Sequence, residues 1–118
     1  MGPLILVVDD SPTDLRRASE PLRRGGYRVL TARDGDQGLG LAVRERPDLV
    51  VLDAVLPRRG GLRVCRELKA GTHTAAIRVL LLVRPGQEGG RVLHVGADAC
   101  LAKPLAGEEL LAAVARLL

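Results

Sequence analysis

Residues 47–61 read Pro47-Asp48-Leu49-Val50-Val51-Leu52-Asp53-Ala54-Val55-Leu56-Pro57-Arg58-Arg59-Gly60-Gly61. The apolar run Leu49 to Leu52 suits a strand buried on both faces, as in a parallel sheet, and that strand ends on a carboxylate, Asp53. Pro57 and Gly60-Gly61 mark a loop before the next helical stretch, Leu62 to Ala70. The same rhythm repeats in both directions along the chain. Upstream, Leu4 to Val8 forms strand one, and Asp9-Asp10-Ser11-Pro12 follows, with Ser11 as N-cap and Pro12 at the first helical position. Helix one runs to about Arg24, stops at Gly25-Gly26, and contains Pro21, which removes a backbone hydrogen bond and predicts a bend. Strand two covers Arg28 to Thr31. Helix two covers Gly35 to Glu45, weakened by Gly38 and Gly40.

Downstream, strand four spans Ile77 to Val83, and a short fourth helix is predicted over Glu88 to Val95 across Gly89-Gly90. Strand five, Ala99 to Ala102, leads into Lys103-Pro104 and a fifth helix from Gly107 to Leu118. Five strands alternating with five helices define a doubly wound α/β fold, because parallel strands need right-handed crossovers through helices. With 118 residues the chain holds one domain, residues 1–118, and no second folded unit.

Composition removes several function classes. Hydrophobic residues make up 47% of the chain and charged residues 27%, which excludes disordered and low-complexity scaffolds. There is no Phe, no Trp and one Tyr, Tyr27, so base stacking on nucleic acid has no platform. No apolar run approaches the ~20 residues of a membrane span, and no secretory signal opens the chain, so a soluble cytoplasmic protein is expected. Cys65 and Cys100 lack metal or redox spacing and read as small buried hydrophobes. The net charge of +4 rests on arginines spread along the chain, with only two lysines, Lys69 and Lys103. A lone Lys at 103 suits a tight site where a planar guanidinium would not fit.

In a doubly wound sheet the functional crevice lies beyond the carboxyl ends of the strands. Strand one ends in Asp9 and Asp10, strand three in Asp53 and strand five in Lys103, so four charges converge there. Three carboxylates against one lysine leave a deficit of two positive charges, which a divalent ion fills; all-oxygen donors favour Mg²⁺ over zinc. With no Ser, Cys or His nucleophile nearby, Asp53 itself is the candidate to attack an electrophile and form an acyl phosphate. Asp98, by contrast, reads as an ordinary turn acid. No GxGxxG follows strand one, which disfavours dinucleotide binding. A phosphohydrolase would want a second acid two residues after the nucleophile, where Val55 stands.

The motifs LILVVDDSPTD, PDLVVLDAVLPRRGGL and GADACLAKP, in this order and spacing, resemble the response-regulator receiver domain of two-component signalling over nearly the whole chain. The resemblance implies a flavodoxin-like (βα)5 fold with strand order 2-1-3-4-5. It implies Mg²⁺ held by Asp10, Asp53 and the Val55 carbonyl with Asp9 assisting through water. Asp53 would be the phosphoacceptor, Lys103 a partner of a phosphoryl oxygen, and the Ala54 N–H a phosphoryl-binding donor. Pro57 and Gly61 match the family's loop after the phosphoacceptor. The implied partners are a histidine kinase or histidine phosphotransfer protein as donor. An output domain or partner protein would read the state of the domain through the face of predicted helix four, strand five and helix five. The domain would be a monomer or weak dimer with no membrane or direct nucleic-acid contact.

Two positions depart from the family pattern. The Thr or Ser at the end of strand four is Val83, with no later Ser or Thr in the chain, and the aromatic of strand five is Cys100. Retained charges favour a phosphoacceptor. The altered switch positions favour the alternative, a phosphorylation-independent interaction module.

Overall fold

The computed structural model describes residues 2–86 and 94–118. Its strands are β1 (Leu4–Val8), β2 (Arg28–Ala32), β3 (Leu49–Asp53), β4 (Arg78–Val83) and β5 (Ala99–Ala102); its helices are α1 (Pro12–Arg24), α2 (Gly35–Glu45), α3 (Gly61–Ala70) and α4 (Gly107–Leu117). The strands form one parallel sheet in the order β2-β1-β3-β4-β5, the order that the resemblance implies. The helix predicted over Glu88 to Val95 falls largely outside the described residues. Other boundaries move by one residue: β2 and β3 each gain one, β4 begins at Arg78 and α3 begins at Gly61.

Strand alternation divides the core in two. Ile5, Val7, Leu49, Val51, Leu80 and Leu82 face one side and pack with Ala18 and Leu22 of α1 and with Leu110, Ala113 and Val114 of α4. Leu6, Val8, Val50, Leu52, Val79, Leu81 and Val83 face the other side, with Ala42 of α2 and Val64, Cys65 and Leu68 of α3. β3 is buried along its whole length, which explains why its sequence does not alternate.

The helix termini follow their sequence signals. Ser11 caps α1, its Oγ accepting from the Asp14 N–H, and α1 continues through Pro21 as one helix. Gly38, unfavourable for helix propensity, is needed for contact: a Cβ there would come within 2.9 Å of both Val8 methyls, so glycine lets α2 lie on β1.

Candidate functional site

Asp9 follows β1 directly, Asp53 is the last residue of β3, and Lys103 follows β5. By strand parity all three belong with Val7, Val51 and Leu101 on the face covered by α1 and α4. The period of two therefore aims the three side chains at one point under the first turn of α1. Lys103 Nζ lies 2.8 Å from Asp9 Oδ2 and 3.1 Å from Asp53 Oδ2. The Lys103 backbone is suspended from β4, its N–H donating to the Val83 carbonyl at 2.8 Å, and the Lys103–Pro104 peptide is cis.

A fourth carboxylate joins them. Asp14 Oδ2, in the first turn of α1, accepts a hydrogen bond from Lys103 Nζ at 3.1 Å. The sequence singled out Asp9, Asp10 and Asp53 but passed over Asp14, whose place six residues beyond β1 hides that α1 folds back over the strand ends. The signal was available: the third residue of a capped helix that begins two residues after Asp10 must lie near those ends. With Asp14 included, the deficit of positive charge is one unit larger than strand-end residues alone suggest.

Asp9 is fully buried. Its Oδ1 accepts from the Ser11 N–H at 3.0 Å, while Oδ2 touches Lys103 as an ion pair without an aligned hydrogen bond. Burial pushes the Asp9 carboxyl above the ordinary range, and the Asp53 charge adds to this; Lys103 and the Ser11 amide offset part of it. For Lys103 burial acts downward. Its close contacts with the carboxylates of Asp9, Asp14 and Asp53 outweigh it, and the ammonium titrates above its usual range. Lys103 is therefore charged throughout the physiological pH range.

Carboxylate oxygens of Asp9, Asp10 and Asp53 lie within 4.8 Å of one another. Asp10 is exposed, and its backbone carbonyl accepts from Arg33 Nη2 at 3.2 Å. An exclusively oxygen donor set, with one buried oxygen lacking an aligned donor, fits a small hard cation of the Mg²⁺ type.

The loop after Asp53 is held by its backbone and by one arginine. The Val55 N–H donates to Asp53 Oδ1 at 3.1 Å, while the Ala54 N–H donates to the Leu82 carbonyl of β4 at 2.9 Å. Val55, not Ala54, thus offers the backbone donor at the Asp53 carboxylate in this state. Gly61 N–H returns to the Ala54 carbonyl at 3.1 Å, and a Cβ on Gly61 would collide with the Asp53 carbonyl oxygen. Only glycine allows α3 to start this close to β3. Arg59 then clamps the loop, with Nε on Asp36 Oδ1 at 2.9 Å and Nη1 on Glu67 Oε2 at 2.6 Å. The Arg59 hydrogen bond holds the Glu67 carboxyl below its ordinary range. This clamp was not visible in the sequence, since it joins residues from α2, a loop and α3.

Val83 is buried in the core on the α2 and α3 side, opposite the face toward which Asp53 projects. Cys100 packs against the same core and pairs in register with Leu81. Asp98 works in the framework, accepting from the Val79 N–H at 2.8 Å and pairing with Lys69 Nζ at 2.8 Å.

A doubly wound sheet with carboxylates at the ends of β1 and β3 and a lysine after β5 defines a class of signalling domain. Residues 5–115 match the response regulator receiver domain family, and the chain belongs to that family. It is 38% identical over 109 residues to protein PilH of Pseudomonas aeruginosa, covering 91% of this chain and 90% of PilH. It is 42% identical over 118 residues to the DNA-binding dual master transcriptional regulator RpaA of Synechocystis, covering 98% of this chain and 49% of RpaA. The chain therefore spans about half the length of RpaA. Among solved structures it is similar to the receiver domain of a sensor histidine kinase from Pseudomonas aeruginosa, whose active-site cleft coordinates a magnesium ion. That likeness has a TM-score of 0.90 and 32% identity, and covers 99% of this chain and 98% of the other. No helix among the described residues is long and apolar enough to cross a membrane.

Proposed function

We propose that residues 1–118 form one phosphoacceptor receiver domain in which Asp53 takes a phosphoryl group from a histidine kinase or histidine phosphotransfer protein. The observation that carries this is the meeting of Lys103 Nζ with the carboxylates of Asp9 and Asp53 at the ends of separate strands. A carboxylate oxygen of Asp53 bonds to phosphorus as the bond from phosphorus to the donor atom breaks, and the donor leaves with the electron pair. Phosphohistidine would return its imidazole nitrogen to the neutral ring.

Each residue has a separate task. Lys103 supplies a fixed positive charge for one phosphoryl oxygen, and the Val55 N–H supplies a backbone donor beside it. The Ala54 N–H joins them only if it leaves its partner on β4. Asp9, Asp10, Asp53 and the Val55 carbonyl would hold Mg²⁺, which supplies positive charge to the phosphoryl oxygens when bound. Arg59 and Gly61 keep the loop that carries Val55 in place.

Val83 supports a second role as an interaction module that keeps the fold and binds a partner without phosphorylation. Loss of one hydrogen bond to a charged phosphoryl group costs roughly 1.5–3 kcal/mol, which slows the chemistry without abolishing it. The two roles separate on incubation with acetyl phosphate and Mg²⁺. The phosphoacceptor gains the mass of one phosphate and loses that gain in Asp53→Asn; a parent chain with no gain leaves the interaction module.

A further inference from the structure

The aligned hydrogen bonds of the Lys103 ammonium go to Asp53 and Asp14, both at 3.1 Å, so the helix carboxylate competes with the phosphoacceptor on equal terms. Its freedom to do so has a structural cause. In a capping box, a Glu or Gln at the third residue of a Ser-capped helix reaches back to the N–H of the cap, the place an acid at this position would otherwise compete for. Here that N–H, from Ser11, already donates to Asp9 Oδ1 at 3.0 Å. Asp14 is thus released from the cap, and its side chain, 30% exposed, spans the gap to Lys103.

We propose that Asp14 is a positioning residue that restrains phosphoryl transfer to Asp53 by holding the Lys103 ammonium partly on α1. The inference rests on the phosphoacceptor role proposed above. For Lys103 to meet an incoming phosphoryl oxygen, an N–H must turn from a carboxylate toward it. Asp14 retains one of the two aligned donors and adds a negative charge facing an anionic donor. Both effects slow the formation of the bond between the Asp53 carboxylate oxygen and phosphorus. In the reaction with acetyl phosphate, that bond forms as the phosphorus–oxygen bond to acetate breaks, and acetate leaves with the electron pair.

The test compares the parent, Asp14→Asn, Asp14→Glu and Glu20→Gln, the last removing an exposed acid elsewhere on α1. Phosphorylation by acetyl phosphate with Mg²⁺ is followed by intact mass, and the Lys103 side-chain ammonium resonance is recorded without phosphodonor. Asp14→Asn is expected to phosphorylate about three to ten times faster than the parent, from the weight of a charge-assisted hydrogen bond, and to shift the ammonium resonance. Asp14→Glu and Glu20→Gln are expected to stay within about twofold of the parent on the same scale. A labelled parent with Asp14→Asn no faster, or Asp14→Glu as fast as Asp14→Asn, overturns the positioning role alone. An unlabelled parent overturns the phosphoacceptor role and this inference with it.

Discussion

The ends of β3 and β4 lie side by side in the sheet, with Asp53 in register with Leu82, yet they are built for different purposes. The end of β3 is polar, surrounded by Asp9, Asp14 and Lys103, and held by a glycine and an arginine clamp. The end of β4 is hydrocarbon: Val83 is 2% exposed and packs into the core on the other face. The Val83 carbonyl fixes the Lys103 backbone. On the proposed phosphoacceptor reading, the contrast teaches that the groups that would attract and hold a phosphoryl charge are encoded separately from the groups that would convey its arrival. The charged groups are present at the end of β3, and the end of β4 is packed hydrocarbon.

The largest expected effect removes the cation on which the polar end depends. Lys103→Met leaves Asp9 buried without its counter-charge, and losing one partner of a buried pair costs about 3 kcal/mol of stability. Chemical denaturation at pH 7 is the check. The sign of the pH dependence follows from Asp9, whose folded pKa is raised by burial, so its charged form disfavours folding. The variant should regain stability as the pH falls through the folded pKa of Asp9 and the buried charge is neutralised.

Gly61→Ala comes next and tests whether the loop after Asp53 matters as much as the charges. The added methyl meets the Asp53 carbonyl oxygen, so something must shift, and a cost of about 2 kcal/mol is expected, read as a lower midpoint in urea. An unchanged midpoint would mean that the close approach of α3 to β3 is not tight.

Val83→Thr addresses the comparison itself. Because the Val83 side chain faces away from Asp53, a hydroxyl there stabilises the phosphorylated form, by about 1.5 kcal/mol or roughly tenfold in the lifetime of phosphorylated Asp53, only if the end of β4 turns over on phosphorylation. It should also cost the unphosphorylated form about 1 kcal/mol, because the hydroxyl enters an apolar core. If neither changes, hydrocarbon at this position is not what separates the two strand ends.

The smallest effect lies at the other end of the strands, where β4 and β5 begin. Asp98→Asn loses the Lys69 pair and weakens the bond to the Val79 N–H, at a cost of about 1 kcal/mol at pH 7. Burial acts to raise the Asp98 pKa, but bonds to Lys69 and Val79 outweigh it and the folded value is lowered. Stability from Asp98 is thus present above the ordinary carboxylate pKa and lost as the pH falls through the folded value, where variant and parent should converge.

The order of strands was legible only through the resemblance to the receiver family, whereas the convergence of Asp9, Asp53 and Lys103 was legible because period-two alternation and strand-end position are local properties of the chain. Asp98 read as an ordinary turn acid, and its bonds to Lys69 and the Val79 N–H became visible only in the fold. Asp14 and the Arg59 clamp were not legible. Each depends on how one element folds over another, and no spacing within a single segment announces it. Ala54 illustrates a finer limit: the sequence places its N–H next to Asp53, but parallel pairing with β4 has already engaged that donor.

The most direct measurement is a backbone amide map of the parent chain before and after acetyl phosphate and Mg²⁺. Large shifts are predicted around residues 9–14, 53–61 and 103, with small ones at Val83 and Cys100. Unshifted amides around Asp53 would contradict the account at its root, and shifts as large at Val83 and Cys100 as at Asp53 would contradict the separation of the two strand ends.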